Sequence, residues 1–389
     1  MNNFIFQNST KVYFGKGCAK EYLMKELADF GERIMLAYGG GSIKENGIYD
    51  EVIGLLKYAG KEVVEFSGIM PNPTYQKVLE GAALAKKHQV DLILAVGGGS
   101  VIDCCKAVAM AAVSTKDIWE NFWERPGVVS FAPLPVGAIV TTVGSGSEMN
   151  GGAVITNERI KVKTGRDYSE CNPCFALLDP LYTYSVPGQQ MVSGGFDILS
   201  HIMETYFSGP DEDNISDHIS EALMRSVVHN LREAIKDPTD YNARSNLMWA
   251  STMAENRIIK LGKKTDFQVH QIEHQLGAYT DCNHGYGLAV ITPAYYRRVY
   301  LHGVKKFRRF ATEVWGIAEN GNSEAELARL GIEALADFIC EIGLPTTLRE
   351  LGNVEQAQLK TIADSCNISA GSYKRMTHNE INEILMECY

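Results

Sequence analysis

The sequence has no apolar run long enough to cross a lipid bilayer. Its longest ones, "VDLILAV" and "AVAMAAV", are far shorter than the ~20 residues that a membrane-spanning helix needs. The N-terminal stretch "MNNFIFQNSTKVYFGKG" does not place a basic region before an apolar one, which is the pattern of a secretory signal. We therefore expect a soluble, cytoplasmic protein that does not act at a membrane.

An excess of positive charge is also missing. The formal net charge is −10 and the sequence pI is about 5.5. A protein that binds nucleic acid or an anionic surface through its overall charge needs the opposite balance. We expect no nucleic-acid partner.

Cysteine pairs are scarce. The chain has nine cysteines, an odd number, and a single C-x-x-C spacing at Cys171 and Cys174. No second pair completes a tetrahedral zinc site of the structural type. Reduced, structural thiols are the expectation.

A chain of 389 residues is too long for one core of ordinary size, so we expect two domains. In the first half, short aliphatic runs alternate with helical patterns, which predicts βαβ units and a parallel sheet. The runs read as strands are "RIMLAY" (33–38), "KEVVEF" (61–66), "DLILAV" (91–96), "PLPVGAIVTT" (133–142) and "FALLDP" (175–180).

The second half has a different pattern. Apolar residues recur there at helical spacing, and no comparable strand run is present. The predicted helices cover 190–208, 216–236, 241–259 and 323–343. The sequence thus predicts an α/β dinucleotide-binding domain at 1–185, Rossmann-like with a parallel sheet, and an all-helical domain at 186–389.

Two of the predicted strands run directly into a Gly-Gly-Gly-Ser sequence, at 39–42 and 97–100. Such a turn before a helix lets the backbone approach a phosphate, and the free N–H groups of the helix supply donors. Ser42 and Ser100 are also possible helix caps. Neither loop is a G-x-G-x-x-G fingerprint, but two of them in one sheet favour a dinucleotide.

The first loop bears on the choice of dinucleotide. NAD sites usually place an acid against the ribose 2′-hydroxyl, whereas a 2′-phosphate needs room and donors. Lys44 follows the loop and no carboxylate occurs before Glu45. This pattern favours NADP(H) over NAD, unless an acid comes from elsewhere in the fold.

Histidines and one aspartate predict a metal site. Asp197 and His201 stand four residues apart in "DILSH", on one face of a predicted helix. The stretch "HQIEHQLGAYTDCNHG" adds His270, His274 and His284, the last in a glycine-flanked turn. Any two of these three would complete a site of nitrogen and oxygen ligands for one divalent ion, Fe²⁺ or Zn²⁺.

In these loops and histidine motifs the chain resembles the iron-containing (group III) alcohol dehydrogenases, and most of all their NADPH-dependent, butanol-dehydrogenase-like aldehyde reductases. The resemblance runs over nearly the full length. It is carried by "TKVYFGKG", "YGGGSIK", "PNPT", "GGGSVIDCCK", "TTVGSGSE", "AVITNE", "LDP", "DILSH", "HQIEHQLGA", "NHG" and "VWGI". It implies a dehydroquinate synthase-like fold with a dinucleotide-binding α/β domain and a helical metal-binding domain.

The resemblance also assigns residues. It implies the metal ligands Asp197, His201, His270 and His284, and it leaves His274 as a proton-relay candidate. The cofactor positions that it implies are Gly40, Gly41, Ser42, Asn72, Gly97, Gly98, Gly99, Ser100, Asp103, Thr141, Thr142, Ser145 and Lys163. Lys161 is an equally simple local candidate, but ungapped register with the family selects Lys163.

Two positions depart from the family's common pattern. The family commonly has Ala-His where this chain has Glu273-His274, and Pro where it has Asn283. The butanol-like branch tolerates both, so they narrow the subgroup. They make it unsafe to transfer a substrate preference from propanediol- or glycerol-type relatives.

The function implied is reversible hydride transfer between NADP(H) and a small aliphatic alcohol/aldehyde pair, in a homodimer. One alternative is a sugar-phosphate cyclase of the same fold, for which several basic residues would have to hold a phosphorylated substrate. The helical half offers Lys260, Lys263, Lys264, Arg297 and Arg298. A non-catalytic protein that binds metal and nucleotide is the other alternative.

Overall fold

The computed structural model describes residues 1–389, which form two compact units. One unit is Gln7–Pro187, and the other joins Met1–Phe6 to Gly188–Tyr389. The predicted boundary at 185/186 lies two residues before the observed one. The prediction also placed residues 1–6 in the α/β domain, whereas the structure places them in the helical unit. The N-terminal residues belong with the helical unit because the amide of Asn2 donates to the carbonyl of Gly262 at 3.0 Å.

The α/β unit is built on a parallel sheet, as predicted, but the sheet has six strands, and the edge strand β1 was not among the five predicted runs. Its strands are β1 (Lys11–Phe14), β2 (Arg33–Tyr38), β3 (Glu62–Phe66), β4 (Leu92–Gly97), β5 (Val136–Val140) and β8 (Phe175–Leu178), in the order β1-β8-β5-β4-β2-β3. Strands β4 and β5 are buried along their whole length, which explains why their sequences are continuous apolar runs.

Five helices connect the strands of this unit. They are α1 (Cys18–Leu27), α2 (Ser42–Glu45), α3 (Ile48–Tyr58), α4 (Tyr75–His88) and α5 (Gly99–Val113). Helix α5 is buried at every residue from Val101 to Ala112, which requires its small, apolar composition. A separate antiparallel pair, β6 (Gly152–Asn157) and β7 (Val162–Asp167), was not predicted.

The strand order reverses direction between β2 and β4, which defines a topological switch point of the sheet. Strand β2 pairs with β3 on one side and with β4 on the other, so the chain leaves β2 in one direction and later returns to its opposite edge. Ligands of open α/β sheets bind outside the carboxyl ends of the strands at such a point. Both glycine loops begin there, because they follow β2 and β4.

The second unit is helical, as predicted. Its helices are α6 (Gly188–Tyr206), α7 (Ile215–Lys236), α8 (Tyr241–Glu255), α9 (Gln268–Thr280), α10 (His284–Val299), α11 (Val304–Arg309), α12 (Glu324–Glu341), α13 (Leu359–Ser365) and α14 (His378–Cys388). Helix α6 is buried at nearly every residue after Met191 and forms the centre of this unit.

Side-chain caps fix where several of these helices begin. Asn214 caps α7 and Asp240 caps α8, each by accepting backbone N–H groups of the first turn. Helices α12 and α14 begin with capping boxes made by Ser323 with Glu326 and by Thr377 with Glu380.

None of these helices combines the length and the apolar character needed to cross a membrane. All nine cysteines are free thiols, in line with the expectation of reduced cysteines.

Candidate metal centre and nucleotide loops

Three helices of the second unit bring the predicted metal ligands together. Asp197 and His201 lie one turn apart on α6, His270 lies in the first turn of α9, and His284 is the first residue of α10. The stretch 270–285 is therefore mostly helical, and the interpretation of His284 as part of a turn was wrong.

One carboxylate oxygen lies at the centre of this group. Oδ1 of Asp197 is 3.4 Å from Nδ1 of His201, 3.6 Å from Nε2 of His270 and 3.5 Å from Nε2 of His284. Ligand atoms bound at roughly 2.0–2.1 Å to a tetrahedral ion lie about 3.3–3.4 Å apart. These three separations from Asp197 match those around one small divalent ion. The ligand atoms of Asp197, His201 and His270 also lie within 4.8 Å of one another, whereas His284 forms a second group at that distance with Glu273 and His274.

The hydrogen-bonding state of these atoms supports the same fit. Oδ1 of Asp197, Nδ1 of His201 and Nε2 of His270 are buried and have no hydrogen-bond partner. A buried polar atom without a partner costs about 1–3 kcal/mol. A cation among the three atoms would remove that cost, so the donor set fits a divalent metal.

A buried carboxylate stands behind each of two imidazoles. Nδ1 of His270 contacts Oε2 of Glu204, and Nδ1 of His284 contacts Oε2 of Glu273. An ionised carboxylate only accepts hydrogen bonds, so each Nδ1 carries a proton, and Nε2, which faces Asp197, is the nitrogen left to bind a metal ion in place of a proton. Such partners are typical of metal-binding histidines.

Charges and burial set the protonation of this group. Burial alone would raise the pKa of Asp197, but His201, His284 and His270 hold it well below its usual range. Burial lowers the pKa of His201. Burial also disfavours the charged form of His270, yet the carboxylates of Glu204 and Asp197 raise its pKa to about 10. The centre therefore attracts positive charge.

His274 lies beside this group, with a ring nitrogen within 4.8 Å of ligand atoms of Glu273 and His284. It is buried on α9, with its ring 6.0 Å from that of His270 and 5.8 Å from that of His284. Of the three histidines left open by local sequence, His270 and His284 are the two that face Asp197. The relay role of His274 stays a prediction.

Sequence reasoning missed Glu204, and it singled out Glu273 only as a departure from the family pattern, without its contact with His284. A signal for Glu204 was present, because Asp197, His201 and Glu204 stand at i, i+4 and i+7 on one helical face. Glu273 likewise stands three residues after His270.

In the α/β unit, the second glycine loop packs against the segment 141–147. A Cβ on Gly98 would lie 2.2 Å from Cγ2 of Thr142, and a Cβ on Gly99 would lie 2.2 Å from Oγ of Ser145. Real Cβ atoms do not approach so closely, so a larger residue at either position would force Thr142 or Ser145 to move. The structure thus brings four of the predicted cofactor residues together after β4.

The first glycine loop is more open. A Cβ on Gly40 would meet nothing within 4 Å. Helix α2 begins at Ser42 and α5 begins at Gly99, and the residues before them, Gly41 and Gly98, make no side-chain cap. The suggestion that Ser42 and Ser100 cap these helices was therefore wrong, because both serines lie inside them.

Asp103 and Lys106 on α5 hold the neighbouring loop in place. The carboxylate of Asp103 accepts from Oγ of Ser147 and, at 2.8 Å, from the amide of Val154. Nζ of the fully buried Lys106 donates to Ser147 Oγ at 2.8 Å, to Asn150 Oδ1 at 3.1 Å and to the carbonyl of Gly152 at 2.7 Å. Lys106 was missed, although a lysine in an apolar helix was a visible signal.

Asn72 and Lys163 both lie close to the β6–β7 pair of strands. Asn72 has a left-handed backbone, and the next residue, Pro73, accepts the amide of Thr156 at 2.9 Å. Thr156 pairs in register with Lys163, which is buried, whereas Lys161 lies in the exposed turn between the strands. Asp103, Thr141, Asn72 and Lys163 remain predicted cofactor residues.

The comparisons with known proteins agree with this arrangement. The family model "Iron-containing alcohol dehydrogenase" matches residues 9–180, and "Fe-containing alcohol dehydrogenase family, C-terminal" matches residues 191–389. The chain is 36% identical to NADH-dependent butanol dehydrogenase A of Clostridium acetobutylicum, with 100% of both chains covered. It is 34% identical to NADPH-dependent aldehyde reductase YqhD of Escherichia coli, with 90% of both covered.

A solved structure shows the same fold. The crystal structure of NADH-dependent butanol dehydrogenase A from Thermotoga maritima superimposes with a TM-score of 0.93 and 37% identity, covering 100% of this chain and 99% of that one. The chain belongs to the iron-containing alcohol dehydrogenase family. The resemblance in the sequence and the predicted fold class are both confirmed.

Proposed function

We propose that the chain is a metal-dependent NADP(H) alcohol dehydrogenase and aldehyde reductase acting on small aliphatic alcohol/aldehyde pairs. The observation that carries the proposal is the position of Asp197 Oδ1, 3.4–3.6 Å from ring nitrogens of three histidines. In the reductive direction, an aldehyde, NADPH and one proton give an alcohol and NADP⁺.

Asp197, His201, His270 and His284 would hold one divalent ion, and their nitrogen and oxygen donors suit Fe²⁺ or Zn²⁺. When bound, such an ion supplies a Lewis acid that polarises an aldehyde carbonyl. Glu204 and Glu273 keep the ring protons on the nitrogens that face away from Asp197. His274 is the proposed group that passes a proton to the product oxygen, through a ring nitrogen.

The preference for NADP(H) over NAD also belongs to the proposal. The relatives themselves are divided: four at 35–36% identity are named for NADH, one at 34% for NADPH and one at 31% for NADP. Two features of the first loop support NADP(H). Gly40 leaves open space, and the carboxylate on the adjacent strand, Glu65, already accepts the hydroxyls of Tyr38 and Tyr49 at 2.6 Å each.

Kinetics with both cofactors would test this preference. The variant Ser42→Asp places a carboxylate at the first loop, where it would repel a 2′-phosphate and could accept a ribose hydroxyl. We expect it to lower kcat/KM for NADPH and to spare or raise kcat/KM for NADH. A wild-type protein with higher kcat/KM for NADH would refute the assignment.

Absorbance at 340 nm with NADPH and butanal tests the reaction. We expect steady oxidation of NADPH, loss of activity after complete removal of metal by a chelator, and recovery on adding Fe²⁺ or Zn²⁺. The variants Asp197→Ala and His284→Ala should lose tight metal binding. His218→Ala is a matched control, because His218 is exposed and pairs only with Asp213. Activity that survives full chelation would refute the metal's role.

The arrangement does not favour a sugar-phosphate cyclase. Four of the five basic residues considered for a phosphorylated substrate already pair with carboxylates. The pairs are Lys260 with Glu255, Lys263 with Asp217, Arg297 with Glu333, and Arg298 with Glu383 and Glu387.

A homodimer is the assembly that we propose. Strand β1 lies at an edge of the sheet, and Phe4, Ile5 and Phe6 expose 52%, 96% and 44% of their surface. Edge strands and exposed apolar residues favour association. Light scattering should give twice the 42.9 kDa chain mass. Ile5→Asp should shift the mass toward a monomer, whereas Ile160→Asp, at another exposed isoleucine, should not.

A further inference from the structure

His284 is the least enclosed of the four candidate ligands. Its side chain is 29% exposed, against 5–11% for Asp197, His201 and His270. It is also the first residue of α10, so no preceding turn of that helix packs against its ring. Something other than close packing must hold its Nε2 toward Asp197.

Glu273 supplies that constraint. Its side chain is fully buried on α9, and Oε2 contacts Nδ1 of His284. Helix α10 makes room for it, because a Cβ on Gly287 would lie 2.8 Å from Cγ of Glu273. The side chain of Glu273 therefore passes Gly287, which has no side chain and lies one turn after His284 on α10, to reach the His284 ring.

Asn283 fixes the other side of the same turn. Its Oδ1 caps α10 by accepting the amide of Tyr286 at 3.2 Å, and it also accepts the hydroxyl of Ser193 at 2.5 Å. A Cβ on Gly285 would lie 2.4 Å from the carbonyl oxygen of Ser193. The first turn of α10 is thus tied to α6, one turn before Asp197.

From this geometry we propose that Glu273 is a positioning residue for the metal centre, and that it acts together with Asn283. Glu273 holds the proton of His284 on Nδ1 and the lone pair of Nε2 toward Asp197, while Asn283 fixes the backbone that carries the ring. The inference depends on the proposed function, because it assumes that His284 binds a metal.

The two residues are the same two that depart from the common pattern of the family. Both departures are explained at once, since each contributes to the placement of His284. The pair formed by His270 and Glu204 repeats the arrangement on the neighbouring imidazole. Removing a carboxylate that hydrogen-bonds to a metal-binding histidine typically lowers metal affinity 10–100-fold.

Metal binding, measured apart from catalysis, tests the inference. Co²⁺ affinity is determined by competition with a chromogenic chelator, and the visible absorption of bound Co²⁺ reports its ligand geometry. We expect Glu273→Ala to weaken Co²⁺ binding about 10–100-fold and to change the spectrum. Glu273→Gln should recover much of both, because its amide oxygen can accept the same hydrogen bond.

A second buried carboxylate provides the control. Glu221 is buried in the same unit and binds Arg309 and Tyr206. Glu221→Gln should lower the unfolding temperature and leave Co²⁺ affinity within twofold. Should Glu273→Ala fail to fold, the nearly isosteric Glu273→Gln still tests the idea, because a neutral acceptor should hold the ring less firmly and weaken Co²⁺ binding by a smaller, measurable factor. In that case, Co²⁺ affinity and spectrum equal to those of wild type would refute the positioning role.

The outcomes separate the two proposals. A wild-type chain that binds neither Co²⁺ nor Zn²⁺ tightly refutes the proposed function. A wild-type chain that binds Co²⁺, with Glu273→Ala equal to it in affinity and spectrum, refutes the positioning role alone. Weaker binding by Glu273→Ala with an unchanged spectrum and no recovery in Glu273→Gln also refutes it, since it indicates general destabilisation.

Discussion

Helix α9, which carries His270 and His274, has no cap from its N-cap residue, and Asp266 accepts only its first amide, that of Gln268, at 3.2 Å. The preceding residue, Phe267, has a left-handed backbone with φ of 56° and provides no side-chain acceptor. Glu204 from α6 takes that role across the helix interface. It accepts the amide of Val269 at 2.6 Å and that of His270 at 3.2 Å, in addition to Nδ1 of His270.

Substitution of Glu204 should therefore affect both stability and metal binding. Hydrogen bonds to a charged acceptor are worth about 1.5–3 kcal/mol each, but burying the carboxylate offsets a large part of that gain. Breaking a buried charged pair by removing one partner costs about 3–5 kcal/mol. We expect Glu204→Ala to lower the free energy of unfolding by that amount.

Glu204→Gln is the more discriminating change. Its amide oxygen can still accept the amide of Val269, but its –NH₂ group would then oppose Nδ1–H of His270. The ring would be driven to the other tautomer, with the proton on Nε2, where it competes with a metal ion. We expect a smaller loss of stability, about 1–3 kcal/mol, and clearly weaker Co²⁺ binding.

Urea unfolding in the presence of a chelator measures the first effect without the stabilisation that bound metal adds. Thr205→Val is the matched control, because the Thr205 hydroxyl next along α6 is buried and has no hydrogen-bond partner. It should be neutral or slightly stabilising. A free energy of unfolding of Glu204→Ala within about 1 kcal/mol of that of the wild type is the size of an ordinary point-substitution effect, and it would show that the capping argument is wrong.

Two further predictions concern other parts of the structure. Burial and the nearby Glu204 charge raise the pKa of Asp266 to about 7. The folded state therefore favours the protonated form of Asp266, and the stability that this form contributes is full below about pH 4 and is lost as the pH rises through 7. Between pH 5 and 8, urea unfolding should show wild type losing about 2–3 kcal/mol relative to Asp266→Asn, and equal pH profiles would contradict this. Gly99→Ala should cost about 1–3 kcal/mol, because the new Cβ would lie 2.6 Å from Cβ of Ser145. Ser145→Gly should restore most of that loss in a double-mutant cycle, and Gly40→Ala should cost little; a cycle without coupling would count against the predicted clash.

The parts of the fold that could be predicted are those with an unambiguous burial pattern. Strands β4 and β5 are buried on both faces, and their sequences are continuous apolar runs. Strand β7 was missed because "VKTGRD" is largely polar and carries the charged residues Lys163, Arg166 and Asp167. Helices α9 and α10 were hidden by their histidines, glycines and internal proline, which are weak helix formers whose placement depends on tertiary contacts.

The same distinction applies to the candidate site. Asp197 and His201 could be paired from the sequence, since both lie on one helix at a spacing of four. Which of the three later histidines faces Asp197 depends on how α9 and α10 pack on α6, and no local pattern contains that information. The contact of Glu273 with His284 likewise depends on the short distance between two helices.

The close fit of Glu273 against Gly287 ties the evolution of the two positions together. The acid and any side chain at 287 compete for the same volume, since a Cβ there would lie 2.8 Å from Cγ of the acid. Replacing the glycine first would push the acid away from His284, and replacing the acid by alanine first would remove its contact with His284. Either single change therefore passes through an intermediate with a less well placed ligand, and glycine at 287 is expected to persist wherever the acid does.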